Sequence, residues 1–242
     1  MYKFIDLCCG FGSFTKAFER TGLYECVLAA DIDENMRRHY SFLNQRMPLG
    51  DITSEEVRSQ IKETSYDVIV AGINNLNEFI FFEILEIIER DQPKAFVFEM
   101  GLSTIYYSMC NTLDSFCKKH QYHFIGFENK DFDNITLNLE NFGVPNFCER
   151  MYCVCIKKEC MRTDDKLFLQ LQKKHDYECY KYKDFDPDGY PEHLMGVDWG
   201  FNENFHFLLN TPIKNKKTII EESTPIPMTA PIALDLGLNW LK

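Results

Sequence analysis

From residue 3 to about residue 128 the chain alternates short β-rich runs with amphipathic stretches of helical period. No other feature constrains the fold as strongly. "KFIDLC" predicts a strand, and "SFTKAFERTG" predicts a helix with Phe14, Ala17 and Phe18 on one face and Gly22 as its stop. "ECVLAAD" predicts a second strand, and "DENMRRHYSFLNQ" a second helix with Asp33 as N-cap. "DVIVAG", "KAFVFEM" and "YHFIGFE" follow as strands, separated by the strongly apolar helix "EFIFFEILEIIER" and the helix "TIYYSMCNTLDSFCKKH". Repeated strand–helix units demand right-handed crossovers and a parallel sheet covered on both faces. The strands are nearly continuous in apolar residues, as doubly covered strands must be. The expected class is therefore α/β, a Rossmann-like, mostly parallel, doubly wound sheet. "MYCVCIK", Met151–Lys157, follows a strand-like segment with no clear helix between them, so an antiparallel hairpin at the sheet edge is expected.

The pattern changes after about residue 160. "KDFDPDGYPEH" is rich in turn formers, and "TPIKNKKTIIEESTPIPMTAP" carries four prolines. Two regions are expected: residues 1–160 as the α/β domain and residues 161–242 as an irregular appendage or extended arm. With 45% hydrophobic residues the chain has enough apolar surface for a sizeable core, and a formal charge of −11 disfavours uniform coating of nucleic acid or anionic membrane. No run of 18 apolar residues marks a membrane span. The N-terminus enters a buried-type strand directly, so no signal peptide is expected. The ten cysteines concentrate in apolar runs, as buried free thiols do, which points to a reducing intracellular compartment, cytoplasm or nucleus. Cys148, Cys153, Cys155 and Cys160 raise the question of zinc. Their C-x4-C-x-C-x4-C spacing lacks the usual knuckle, Cys153 and Cys155 share a strand face, and no metal is expected.

The turn after the first strand, "DLCCGFGSF", lets backbone approach a ligand at Gly10 and Gly12, just before a helix whose N–H groups are free. The second strand ends at Asp31, an acid suited to ribose hydroxyls, followed by Ile32, which suits an adenine face. "GDIT" brings Asp51 to a third tip, where a carboxylate can accept from an adenine amino group. The competing reading makes all three acids helix caps or loop solubilisers.

In order, "FIDLCCGFGSF", "ADID", "GDI", "DVIVAG", "FVFEMG" and "NFGVPNFCERMYCV" resemble the C5-cytosine DNA methyltransferase family over about residues 3–157. The resemblance implies the S-adenosylmethionine-dependent methyltransferase form of this fold. It also implies a site for S-adenosylmethionine or S-adenosylhomocysteine at Asp6, Cys8, Gly10, Phe11, Gly12, Ser13, Asp31, Ile32, Asp51, Ile52 and Gly72. The pocket is weakened, because an adenine-stacking aromatic is Cys8 here and a following glycine is Ser13. In the family a Pro-Cys-Gln loop follows the "DVIVAG" strand, and its thiolate adds to cytosine C6 so that C5 can attack the methyl donor. Here those positions are Asn74, Asn75 and Leu76. A carboxamide at Asn75 has no comparable nucleophilicity, so the covalent mechanism is expected to be lost. Glu99 falls where the family holds the N3 edge of the flipped base, and Arg150 where it holds a pyrimidine O2; two further positions depart, as Met100 and Cys148.

"KNKKTIIEE" resembles the lead-in to a target-recognition domain, but neither that domain nor the closing motif is recognisable. The resemblance thus leaves three functional expectations. The first is an inactive relative acting as a regulatory or scaffolding subunit. The second is the cofactor-binding half of a split enzyme, completed by a partner chain. The third is a methyltransferase acting on nitrogen or oxygen without a covalent adduct, for which "INNLNEF" has asparagines but no proline. A protein partner is expected, either a recognition subunit or another methyltransferase, with DNA bound only in its company.

Overall fold

In a computed structural model of the chain, strand pairing follows the crossover logic closely. The structure describes residues 1–73, 78–125, 127, 132–138, 149–162, 229–230, 232–233 and 236–241. Among them seven strands form one sheet. β1 (Tyr2–Leu7), β2 (Tyr24–Ala30), β3 (Val68–Ile73) and β4 (Ala95–Met100) lie parallel in the order β2-β1-β3-β4. The chain steps from β1 outward to β2, then returns past β1 to β3. The strand order therefore reverses between β1 and β3, the place where open α/β sheets form a ligand crevice at the carboxyl ends of the strands.

The connecting helices are α1 (Ser13–Glu19), α2 (Glu34–Asn44), α3 (Glu55–Glu63), α4 (Glu78–Asp91) and α5 (Thr104–Lys119). Side chains alternate across a strand, so each strand feeds two cores. Phe4, Tyr24, Cys26, Val68, Val70 and Val97 pack with α1 and α2. Ile5, Leu7, Ile69, Ala71, Phe96 and Phe98 pack with α3, α4 and α5. Nothing in the motif order draws attention to α3, yet its signals are local. Ser54 caps it by accepting from Val57 N at 3.3 Å, Glu55 and Glu56 occupy its first turn, and Val57 and Ile61 are its buried pair. The "GDI" segment is not a full strand: Leu49 alone bridges Ala30 beside β2.

β7 (Glu149–Lys157) is antiparallel to β4, from Ala95↔Ile156 to Met100↔Met151. It lies one place in from the rim, because β5 (Tyr122–Phe124) and β6 (Thr136–Asn138) both pair with its outer side. β5 and β7 form the antiparallel pair that the missing helix implied, and β6, which the sequence did not announce, also pairs with β7. The "YHFIGFE" strand is short, three residues in β5, with one further bond from Ile125 N to Val154 O at 2.8 Å.

The far end of the chain returns to the sheet. Thr229, Ala230, Ile232, Ala233, Leu236 and Leu241 are buried, the five apolar ones within the α1/α2-side core. Tyr24 donates its hydroxyl hydrogen to the Ala233 carbonyl at 3.0 Å, and the Tyr152 and Thr229 hydroxyls meet at 2.9 Å. Leu241 bridges Met161. The described end of the expected appendage is thus core material, while residues 163–228 lie outside the described part. None of the described helices is long and apolar enough to cross a membrane.

Candidate functional site

The crevice between β1 and β3 is where the sequence-predicted residues converge. The chain leaves β1 through a turn in left-handed backbone, with φ 57° at Cys8, 52° at Gly10 and 97° at Gly12. Gly12 is required for packing as well as for φ, since an added Cβ would stand 2.8 Å from the Tyr40 ring. Asn44 holds the same turn from α2, donating from Nδ2 to the Phe11 carbonyl at 3.0 Å. Phe11 itself is buried in the core, as is Ser13 at the start of α1.

Gly10 differs from Gly12. A Cβ there meets nothing within 4 Å among the described residues, so its backbone is open to a ligand on their side. Its N–H donates to Asp31 Oδ2 at 2.8 Å, which ties the tip of β2 to the turn after β1. Asp31 Oδ1 accepts from Asp33 N at 2.8 Å, and Arg37 donates from Nη1 to the carbonyls of Asp31 and Ile32 at 2.8 and 2.9 Å. Asp33 caps α2 as expected, accepting from Asn35 N and Met36 N. The Asp31 carboxylate is thereby held at the strand tip, and its burial raises its pKa above the usual carboxylate range. Ile32 beside it is 68% exposed, an apolar side chain offered to whatever enters the crevice.

Asp51 Oδ1 accepts from Thr53 N at 2.9 Å, shaping the turn into α3, and Gly50 before it also faces open space. Ile52 is a core residue. Asp6, Asp31 and Asp51 all act electrostatically on the Cys8 thiol, which burial and these acids push up to about 12. Asp6 lies beneath the turn, fully buried. Its Oδ2 accepts from Thr15 N at 3.1 Å and Thr15 Oγ1 at 2.8 Å, while Oδ1 has no hydrogen-bond partner among the described residues. Burial pushes its carboxyl up to about 7. The Thr15 hydroxyl also meets Tyr40 at 3.0 Å. Thr15, Tyr40, Asn44 and Arg37 were invisible as site residues. Each sits in a helix and acts on the turn from behind, and only the helix face on which it falls hints at that.

Across the crevice, Gly72 in β3 is level with Glu99 in β4, and Glu99 with Tyr152 in β7. Alternation places Asp6, Gly72, Glu99 and Arg150 on one sheet face at the same end. Glu99 is fully buried, with Oε1 2.8 Å from Arg150 Nε. The two positions that the resemblance assigns to a base are thus brought together as an ion pair. Asn75, with Asn74 and Leu76, lies outside the described residues, as does Cys148. Cys153 and Cys155 do not turn toward Cys160; their thiols meet Cys110 and Cys117 of α5.

The residues present fit an adenosine-type ligand. Among the described residues there is open space over Gly10 and Gly50, an exposed aliphatic side chain at Ile32, and oriented carboxylates at Asp31 and Asp51 with remaining lone pairs.

A family model described as C-5 cytosine-specific DNA methylase matches residues 2–73 and 74–191. The chain is 29% identical over 174 residues to type II methyltransferase M.HpaII of Haemophilus parainfluenzae, covering 65% of this chain and 46% of that protein. It is 25% identical over 210 residues to type II methyltransferase M.HhaI of Haemophilus parahaemolyticus, covering 80% and 59%. The chain spans about half the length of these curated relatives. Its structure is similar to a crystal structure of S. pombe Dnmt2 methyltransferase, with a TM-score of 0.70 and 13% identity over 98% of each chain. At that identity the likeness is one of fold.

Proposed function

The chain belongs to the C-5 cytosine-specific DNA methylase family, and from that premise we propose that it binds an S-adenosylmethionine-type cofactor without methylating cytosine. The observation that carries this reading is the absence of an activated thiol where the chemistry needs one. The nucleophile position reads Asn75. Among the described cysteines none is suited to replace it. A nucleophilic cysteine needs a lowered pKa, but burial pushes the Cys8 thiol up to about 12 and Cys26 up to about 11, and raises Cys9, Cys153 and Cys155 well above the ordinary range. Cys110 and Cys117 are buried on the face of α5 that packs against β7, and Cys160 follows the far end of β7, away from the carboxyl ends of the parallel strands.

When bound, the cofactor would supply an electrophilic methyl group on its sulfonium. Gly10 would let backbone approach it, Asp31 would hold ribose hydroxyls, Ile32 would cover an adenine face and Asp51 would accept from the adenine amino group. Glu99 and Arg150, held to one another through Oε1 and Nε at 2.8 Å, would present the remaining carboxylate oxygen and guanidinium N–H groups to a base edge. Without the nucleophile, such a site would serve a regulatory or scaffolding role. Titration calorimetry with S-adenosylmethionine and S-adenosylhomocysteine tests the pocket: micromolar binding lost in Asp31→Ala supports it, and absence of heat at millimolar ligand refutes it. An oligonucleotide carrying 5-fluorocytosine tests the chemistry, and a covalent adduct would overturn the reading.

A second reading rests on cofactor-type groups at Gly10, Asp31 and Asp51 with no activated thiol among the described cysteines. In it the chain is the cofactor-binding half of a methyltransferase whose base-reading half is a separate partner. Cytosine methylation that appears only on mixing with such a partner would favour it.

A further inference from the structure

Cys110 and Cys117 lie seven residues apart on α5, close to two helical turns, and so share a face. Cys153 and Cys155 lie two residues apart on β7 and share a face by strand alternation. The two faces meet. Cys110 Sγ is 3.6 Å from Cys153 Sγ, and Cys117 Sγ is 3.5 Å from Cys155 Sγ. All four residues are at most 1% exposed. Both α5 and β7 run opposite to β4, so they run alongside each other and the pairs follow in the same order.

The spacing excludes one four-sulfur metal centre. Two helical turns separate the helix thiols by about 10 Å along the axis, and two strand residues separate the others by about 7 Å. Tetrahedral zinc needs every sulfur about 2.3 Å from one point. Each pair is instead a self-contained dithiol. A disulfide bond is about 2.05 Å long, so closing either pair needs a sulfur displacement of about 1.5 Å, divided between two side chains.

The structure assigns Cys110–Cys153 and Cys117–Cys155 as a double dithiol site that two-electron oxidants of the low-molecular-weight disulfide class convert into two staples between α5 and the sheet. In each closure one cysteine thiol gives up its proton and attacks the external disulfide. One small thiolate leaves, and the mixed disulfide remains on the protein. The second cysteine attacks the protein sulfur of that mixed disulfide and expels the other small thiolate. Two cysteine thiols are oxidised to one protein disulfide, one external disulfide is reduced to two thiols, and the released protons end on those thiols. Burial makes the step depend on transient separation of α5 from β7, so the pairs close slowly and, once closed, hold the strand that carries Arg150.

The full-length reduced chain is incubated with glutathione disulfide, then unfolded, alkylated and mapped by mass spectrometry. Expected are two intramolecular links, Cys110 to Cys153 and Cys117 to Cys155, with a mass about 4 Da lower before alkylation, two hydrogens for each bond. Thermal unfolding should rise by several degrees, because the links close chain separations of 43 and 38 residues, and fall back on reduction. Cys110→Ser should keep only the second link and part of the rise. The same reaction in urea below the unfolding transition controls for access. Links that omit these pairs overturn the assignment. So do glutathione adducts at Cys8 or Cys160 while the four thiols stay alkylatable under both conditions.

Discussion

At the scale of single residues, Gly10 and Gly12 separate function from packing. Both have positive φ, but only Gly12 is enclosed, with Tyr40 2.8 Å from where a Cβ would stand. Gly12→Ala is expected to destabilise the fold by about 2–4 kcal/mol through steric overlap and backbone strain. Gly10→Ala should cost about 1 kcal/mol yet weaken cofactor binding; chemical denaturation and calorimetry on both variants check this. Asp6 carries a pH signature. Its folded pKa is raised from 3.8 to about 7 by burial. Its contribution to stability is therefore complete below about pH 4, and is lost as pH rises through 7, where the buried carboxyl must ionise. The loss is on the order of a few kcal/mol. Asp6→Asn should flatten this slope between pH 4 and 8; parallel pH profiles for the two proteins would contradict it. The turn glycines and the acids at 31 and 51 were legible because turn chemistry and strand tips are local features. Thr15, Tyr40 and Asn44 were not, because their roles depend on how α1 and α2 dock.

At the scale of elements, period alone located most strands and helices, and the exceptions have physical causes. α3 carries only two buried apolar residues, Val57 and Ile61, so its apolar face is faint in sequence. β5 and β6 are three residues each, too short to show an alternation. β7 pairs on both sides, which its continuous apolar run permits but cannot specify. α4 is apolar beyond the needs of its inner face: Phe81 is fully buried, while Phe79 is 61% and Phe82 49% exposed. Phe81→Ala should lower unfolding free energy by about 3–5 kcal/mol, and Phe82→Ala by less than about 1 kcal/mol. Urea titrations with an unchanged m-value would establish the contrast. Equal losses would mean that the helix face is assigned wrongly.

At the scale of the whole molecule, residues far apart in sequence complete one core. Ile232, Leu236 and Leu241 are fully buried against the first two strands and helices. At about 2–3 kcal/mol for each large side chain, their loss rivals the 5–15 kcal/mol that holds a typical domain together. Ending the chain at residue 228 would also remove the Ala233 carbonyl from the Tyr24 hydroxyl and the Thr229 hydroxyl from that of Tyr152. That truncation is expected to abolish cooperative thermal unfolding; a sharp transition in the shortened chain would show that the end is dispensable. The proline-rich composition of this region favoured an extended arm, and nothing local in it announces that its last residues enter the core. The functional claim also belongs to the whole molecule, since it combines a preserved crevice with a missing nucleophile. Its most direct test is to incubate the purified chain with isotopically labelled S-adenosylmethionine and cytosine-containing DNA, then digest the DNA and quantify 5-methylcytosine by mass spectrometry. No labelled 5-methylcytosine above background is predicted, under conditions where calorimetry is expected to detect cofactor binding. Labelled 5-methylcytosine that accumulates in proportion to protein concentration, with no second chain present, would contradict it.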